Sequence, residues 1–124
     1  MPYTIGFVKE DGIVLLQNTG NLTYKECVSQ AKEALELGRT NNTRFYLADC
    51  THLVVQANVL EVFDFFPTLY EKIHMPRTVK LALLMSKDAV TARDMGFYET
   101  VCQNRGWQIK MLRDKSSAMK WLLD

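Results

Sequence analysis

The hydrophobic pattern at the start of the chain predicts a β-hairpin. Tyr3 to Val8 and Ile13 to Thr19 are rich in β-branched and other apolar residues, which favour strands. Asp11-Gly12 lies between the two runs, and this dipeptide is a strong signal for the turn of a hairpin. We therefore expect the chain to open with two antiparallel strands.

The next segment has the pattern of an amphipathic helix. Thr23 and Glu26 match a capping box, in which the Thr hydroxyl accepts from the Glu amide while the Glu side chain reaches back. Gly38 is expected to end this helix, because glycine adopts the left-handed conformation at little cost. The apolar residues recur at helical spacing, at Tyr24, Cys27, Val28, Ala31, Ala34 and Leu35.

Three short apolar runs further along the chain are typical of buried strands. They are Phe45 to Ala48, Val79 to Met85 and Trp107 to Leu112. The first of these runs shows little of the polar alternation of a half-exposed strand. Helical patterns precede and follow each run, and this alternation predicts parallel strands with right-handed crossovers. The predicted fold is α/β, with a mixed, mostly parallel five-stranded sheet, an N-terminal hairpin and helices on both faces. The length fits a single domain, residues 1–124.

Local signals mark the ends of the later helices. Asp88 or Thr91 is expected to cap the helix that stops at Gly106, and Asp114 is expected to cap the final helix, whose Trp121 should help to close the core. The apolar segment from Asn58 to Ile73 also has helical spacing. Pro67 interrupts it, and a proline cannot donate to the carbonyl four residues back, so we expect a kink or a break near Phe66.

Composition and charge exclude several classes of function. The net charge is +1, and the charged residues form no long run of one sign. Both features argue against nucleic-acid binding. The three cysteines match no metal or disulfide spacing, and we expect reduced thiols in a cytoplasmic protein. Apolar runs are too short to span a bilayer and no signal peptide is visible. His52 and His74 have no zinc-ligand spacing, so no metal or cofactor is predicted.

Several local sequences together resemble the STAS-like, SpoIIAA-like family, small bacterial domains related in fold to anti-anti-sigma factors. The sequences that carry the resemblance are Tyr98-Glu99-Thr100-Val101, Asn104-Arg105-Gly106-Trp107, Ala118-x-x-Trp121-Leu122, Gly20-x-Leu22-Thr23-x-x-Glu26 and the strand-ending Asp49. Members of this family bind and regulate but mostly do not catalyse, so the resemblance implies a regulatory or protein-interaction module. Asn58 stands where true anti-anti-sigma factors carry a phosphorylatable serine, so the resemblance does not extend to that switch.

Two sets of residues are candidates for function. Open α/β sheets bind ligands beyond the carboxyl ends of their parallel strands, and the residues expected there are Asp49, His52, Asn58, Phe66 and Ser86. For Asp49 we also expect a structural role as a cap for local backbone amides. The second set is apolar and concentrates around one irregular segment, at Val54, Val55, Leu60, Phe65 and Tyr70. This set has three possible interpretations: ordinary core packing, a groove for a lipophilic ligand, or a surface for a second subunit.

Three functions follow from these candidates. The first is a non-enzymatic cytoplasmic interaction module that forms a homodimer, or binds another protein, through the region from Val54 to Tyr70. The second is a carrier or sensor of a small lipophilic ligand held between that segment and the sheet. The third is a small hydrolase that uses Cys50 and His52, although no oxyanion motif or second base accompanies them.

Overall fold

The structure, a computed structural model, describes residues 3–55 and 65–124 in full and residues 59–64 as helical backbone. The elements follow in the order β1 (Tyr3–Val8), β2 (Ile13–Asn21), α1 (Tyr24–Thr40), β3 (Phe45–Val54), α2 (Val59–Lys72), β4 (Lys80–Leu84), α3 (Ala89–Asn104), β5 (Gln108–Leu112) and α4 (Lys115–Leu123). Asn58, one of the candidate ligand residues, lies outside the described part of the chain.

The five strands lie side by side in chain order, β1-β2-β3-β4-β5. β1 and β2 pair antiparallel, and β2 to β5 are parallel. Crossovers between parallel strands are almost always right-handed, so three successive crossovers in one direction carry their helices over the same face. The predicted α/β fold, with its mixed sheet and N-terminal hairpin, is confirmed.

The helices divide unequally between the two faces of the sheet. α1, α2 and α3 cover one face, where residues such as Val14, Tyr46 and Tyr98 form the larger core. α4 alone covers the other face, where Ala118 and Leu122 are fully buried in a smaller core. Trp121 packs against this core, as expected, although it is only partly buried. The Lys80 ammonium lies 4.5 Å from the centre of its ring.

The third strand is longer than predicted and contains a bulge. β3 continues past Asp49 to Val54. Its pairing with β2 changes register, because Gln17 pairs with Asp49 whereas Thr19 pairs with His52. β3 therefore holds one residue more than β2 across this interval, as in a β-bulge. Asp49 lies inside the strand and not at its carboxyl end, which corrects the sequence-based boundary.

Most of the predicted helix ends are confirmed. Thr23 and Glu26 form the reciprocal capping box of α1. Asp88 caps α3 through the Thr91 amide, so the open choice between these two residues falls on Asp88. At the end of α3, Gly106 has a φ of 91° and the Trp107 amide donates to the Cys102 carbonyl at 3.0 Å, which is the Schellman arrangement. Asp114 caps α4.

Gly38 does not end α1, which is a correction with a steric cause. The helix continues to Thr40, and the left-handed residue that follows is Asn42, with a φ of 54°. Gly38 is buried inside the helix, where the hydroxyl of Tyr46 from β3 occupies the space that a Cβ atom would need. The glycine is thus required for the close approach of a side chain and not for a turn.

Of the kink or break that we expected near Phe66, the break is absent. α2 runs without interruption through Pro67 to Lys72. A proline inside a helix costs about 3 kcal/mol through its lost hydrogen bond and its ring clash. Here the ring is fully buried, and Leu69 and Tyr70 on the same helix are buried as well, so the packing of α2 offsets the local cost.

Two glycines in helix interiors offer a matched test of this packing. Gly38→Ala should lower the free energy of unfolding by about 1–3 kcal/mol, because the new methyl group displaces the buried Tyr46 ring. Gly96→Ala in α3 meets no atom within 4 Å and should raise stability by about 0.5–1 kcal/mol through helix propensity. Urea denaturation measures both, and equal effects of the two substitutions would contradict the close approach at Gly38.

Candidate functional site

A cavity of about 430 Å³ lies between the sheet and the helices α1, α2 and α3. Asn21, Thr23 and Tyr24 line one end of it and are exposed, so the cavity opens to solvent beside the start of α1. Its walls are largely apolar, with Leu16, Leu22, Leu35, Leu53, Val55, Phe66, Ile73, Met75, Val79, Leu81, Leu83 and Met95 among the lining residues.

Small side chains on two facing elements create this space. From α1, Cys27, Ala31 and Ala34 face the cavity, and from β3 they are met by Ala48 and Cys50. Natural cores are usually packed with large and small side chains in alternation, at the density of organic crystals. Here α1 and β3 both carry small residues. These side chains are too short to fill the volume between the helix and the sheet.

Aromatic side chains form the opposite wall. Tyr70 of α2 and Tyr98 of α3 are buried, and their hydroxyl groups hydrogen-bond to each other at 2.5 Å. Phe66 packs edge-on against Tyr98, with ring centres 4.9 Å apart. Phe65 contacts Tyr24 at the same centre distance, 4.9 Å, and so joins α2 to the start of α1. The wall made by α2 and α3 thus carries large aromatic rings in contact with one another, whereas α1 contributes small side chains.

A few polar groups also face the cavity. Asn18 is buried. Its side chain donates to the Cys50 sulfur at 3.6 Å and accepts from the side-chain amide of Gln30. Thr91 is fully buried, accepts from the Val55 amide at 3.1 Å and donates to Asp88. Asp94 is the remaining polar member of this group and is 4% exposed.

Among the predicted ligand residues, Phe66 lines the cavity and Asp49 does not. Along β3 the side chains of Tyr46, Ala48 and Cys50 face the cavity, so Asp49 points to the opposite face, because side chains alternate along a strand. Its carboxylate accepts from the Thr51 amide at 3.1 Å and from the Thr51 hydroxyl at 2.6 Å. The structural role that we expected for Asp49 as a cap of local backbone is the one observed.

His52 and Ser86 are also placed away from the cavity lining. His52 is exposed, while Cys50 and Leu53 on either side of it face inward. Ser86 is buried, donates to the Leu53 carbonyl at 2.7 Å and accepts from the Asp88 amide at 3.0 Å. Ser86 therefore ties β3 to the start of α3, and its hydroxyl is occupied by these contacts.

The proposed pair of Cys50 and His52 does not form in this arrangement. Cys50 lies inside the cavity and His52 lies on the exterior. Burial raises the pKa of the Cys50 thiol to about 11, whereas a nucleophilic cysteine needs a lowered pKa. Burial likewise raises the pKa of Cys27 to about 11 and that of Cys102 to about 12. These thiols are all free.

The apolar residues predicted for an interface fall into two groups. Val54 is 36% exposed and Phe65 is half-buried, so both present surface. Val55 and Tyr70 face the cavity, and Tyr70 is buried, so Tyr70 does not fit a place on an exposed interface. The side chain of Leu60 lies outside the described residues.

Sequence reasoning missed the polar residues of the cavity, above all Asp94. A signal was present, because Thr91, Met95, Tyr98 and Cys102 follow the buried side of α3 at helical spacing and Asp94 falls within that stripe. A carboxylate on the apolar side of a helix needs an explanation. Asn18 carried a similar signal, since it continues the inward-facing positions of β2 after Val14 and Leu16.

The described residues form neither a membrane-spanning helix nor a cluster of metal ligands. Within residues 3–55 and 59–124, no helix has the length and apolar character needed to cross a bilayer. Among the side chains of residues 3–55 and 65–124, no three of His, Cys, Asp or Glu are grouped closely enough to hold a metal ion.

Comparison with known proteins gives a structural match. No family model matches the chain, and no curated protein matches it. Among solved structures, it is similar to an uncharacterized protein of the DUF3478 family from Shewanella loihica PV-4, which has a SpoIIAA-like fold. The TM-score is 0.61 at 18% identity, and the match covers 97% of this chain and 93% of that one. This protein has a SpoIIAA-like fold. The resemblance drawn from the sequence is thereby supported at the level of the fold, and function in a SpoIIAA-like domain must be argued from the site itself.

Stability at alkaline pH should depend on the buried thiol of Cys50. The pKa of this thiol is about 11 in the folded state against 9.0 for an unperturbed cysteine, so above pH 9 the unfolded chain loses the proton first. Unfolding is then favoured by up to about 1.4 kcal/mol for each pH unit between pH 9 and 11. Urea denaturation at pH 8 to 10.5 should show a shallower loss of stability for Cys50→Ala than for the wild type. Parallel curves for the two proteins would contradict the assignment.

Proposed function

We propose that this protein is a non-catalytic binding module whose ligand is a small, largely apolar molecule held in the cavity between α1 and the sheet. The observation that carries the proposal is the cavity itself, with small side chains on two facing walls and an opening beside Tyr24. Ligand sites in proteins are typically concave, mostly apolar and about 300–1,000 Å³ in volume. The volume of about 430 Å³ falls within that range.

The lining favours an organic ligand over water. An apolar cavity of about 150 Å³ stays free of water and accepts benzene. By proportion, the present volume accommodates about 15–20 non-hydrogen atoms. Water molecules would need two to four polar partners each, and Asn18, Thr91 and the Tyr70–Tyr98 pair are already engaged in hydrogen bonds within the protein.

The placement of the candidate nucleophile supports a non-catalytic role. The sulfur of Cys50 accepts from Asn18 and lies apart from His52. A ligand bound between α1 and the paired helices α2 and α3 would contact both sides and connect α1 to that pair. Such binding stabilises the folded state by mass action and gives a regulatory module a means to report occupancy.

Self-association stays a separate prediction. Val54 and Phe65 present apolar surface near the opening of the cavity, and a homodimer would cover it. Sedimentation of the wild type as a monomer at high protein concentration would reject this prediction without affecting the ligand proposal.

Titration with N-phenyl-1-naphthylamine tests the cavity directly. This neutral probe has about 17 non-hydrogen atoms, which matches the volume, and its fluorescence rises in apolar surroundings. We expect saturable binding of one probe molecule and a higher melting temperature in its presence. Absence of any saturable signal from the folded wild type would overturn the proposed function.

A pair of identical substitutions separates the cavity from the packed core. Ala34 of α1 lines the cavity, whereas Ala118 of α4 is fully buried in the opposite layer. Ala34→Leu should keep or raise stability and weaken binding of the probe, because the added carbons enter free space. Ala118→Leu should cost about 1–3 kcal/mol through overpacking and leave the affinity for the probe unchanged. Equal losses of stability in urea denaturation would mean that the space beneath α1 is closed.

A further inference from the structure

Asp94 is a buried carboxylate with an oxygen that lacks a hydrogen bond. Its side chain lines the cavity and is 4% exposed. Its Oδ1 atom accepts no hydrogen bond from the part of the chain that the structure describes. The guanidinium of Arg93 lies 3.5 Å from this oxygen without the geometry of a hydrogen bond. The Arg93 side chain is 60% exposed, so solvent weakens this ion pair.

This arrangement works against stability. A buried acceptor without a donor loses the hydrogen bonds that it had in water. Native structures contain few such groups, and each calls for an explanation. An apolar residue at this position would fit the buried stripe of α3 formed by Thr91, Met95 and Tyr98. The carboxylate is therefore better explained by something that it binds than by the fold.

Three other buried polar residues of the cavity, Asn18, Tyr70 and Tyr98, already have partners. Asn18 is bonded to Cys50 and Gln30. Tyr70 and Tyr98 are bonded to each other. Oδ1 of Asp94 is thus the acceptor that remains for a ligand among these groups.

The charge of the lining selects the kind of head group. Within the described part of the chain, the residues that line the cavity include no Lys, Arg or His, and Asp94 is the one Asp or Glu among them. A ligand with a carboxylate or a phosphate would bring a second negative charge into an apolar site whose lining holds no cation, because Arg93 lies outside the lining and is largely exposed. A protonated amine would supply both the missing donor and the opposite charge.

We propose that the ligand is an amphipathic amine, with its apolar body in the cavity and its ammonium group bound to Asp94. This inference rests on the proposed function, since it assigns the head group of the molecule that the cavity holds. Three parts of the cavity lining then have separate roles. The small residues of α1 and β3 make room for the body, the aromatic wall packs against it, and Asp94 of α3 sets its orientation.

Competition among three amphiphiles of equal chain length tests the assignment. Dodecylamine, dodecanol and dodecanoic acid are used at pH 7, below their micelle-forming concentrations, to displace N-phenyl-1-naphthylamine from the wild type. Dodecylamine should bind about 10- to 100-fold more tightly than dodecanoic acid, the range expected when a charge-assisted hydrogen bond is gained. Equal binding of all three, or a preference for the acid, would overturn the role of Asp94 while leaving the cavity intact. Failure of the probe and of all three amphiphiles to bind would instead reject the proposed function.

Asp94→Asn is the decisive variant, and Asp88→Asn is its matched control. Each substitution removes one negative charge. Asp88 is the N-cap of α3, and Asp94 lies in the N-terminal half of the same helix. Asp88 does not line the cavity, and asparagine preserves the helix cap that Asp88 supplies. Asp94→Asn should lose the preference for the amine and keep the affinity for the neutral probe, whereas Asp88→Asn should keep both.

The stability of the unliganded variant provides an independent measurement. Asp94→Asn should melt at the same temperature as the wild type or higher, because Oδ1 of the buried carboxylate accepts no hydrogen bond and its ion pair with the exposed Arg93 is weak. A pronounced fall in melting temperature, or failure to fold, would show that Asp94 is needed for the fold and would overturn the inference. Retention of the amine preference by the folded variant would overturn it as well.

Discussion

The separation of α1 from the pair formed by α2 and α3 is the constraint on which the site depends. α2 and α3 pack tightly on each other through Phe66, Tyr70 and Tyr98. α1 meets the sheet with alanine and cysteine side chains, and the ring pair of Tyr24 and Phe65 connects it to α2 at one end. Three crossovers of one hand must place all three helices on one face. That face is therefore the one where a gap between helices becomes a cavity.

The bulge in β3 decides which side chains enter that gap. A regular strand would turn Cys50 and His52 to the same face, because side chains alternate with a period of two. The extra residue in β3 instead brings Cys50 and Leu53 to the cavity and leaves His52 outside. Bonds from Thr51 to the Asp49 carboxylate hold the bulge. The extra residue in β3 thus places Cys50 and His52, which are two positions apart in the sequence, on different sides of the strand.

Features set by neighbouring residues could be predicted from the sequence, whereas those set by distant contacts could not. The capping box at Thr23 and the Schellman end at Gly106 are local, and both are confirmed. Gly38 was misread because its reason is the ring of Tyr46 from another element. Pro67 was misread because burial outweighs its local cost. Likewise, α2 ends at Lys72 and the left-handed residue after it is His74, with a φ of 58°, a position for which the sequence supplied no glycine.

The same distinction applies to the site and gives Asp94 its meaning. Apolar spacing located Phe66 and Tyr70 near the ligand region, but spacing alone does not say whether facing residues fill the space between them. That depends on which residues oppose each other across the gap, here Ala34 on one side and Ala48 on the other. Once the gap exists, a polar group inside it is either paired or available. Asn18 and Tyr98 are paired, and the carboxylate of Asp94 keeps an acceptor atom for whatever enters. A core selected for stability alone would have removed that carboxylate, so its presence ties the cavity to a ligand with a complementary donor.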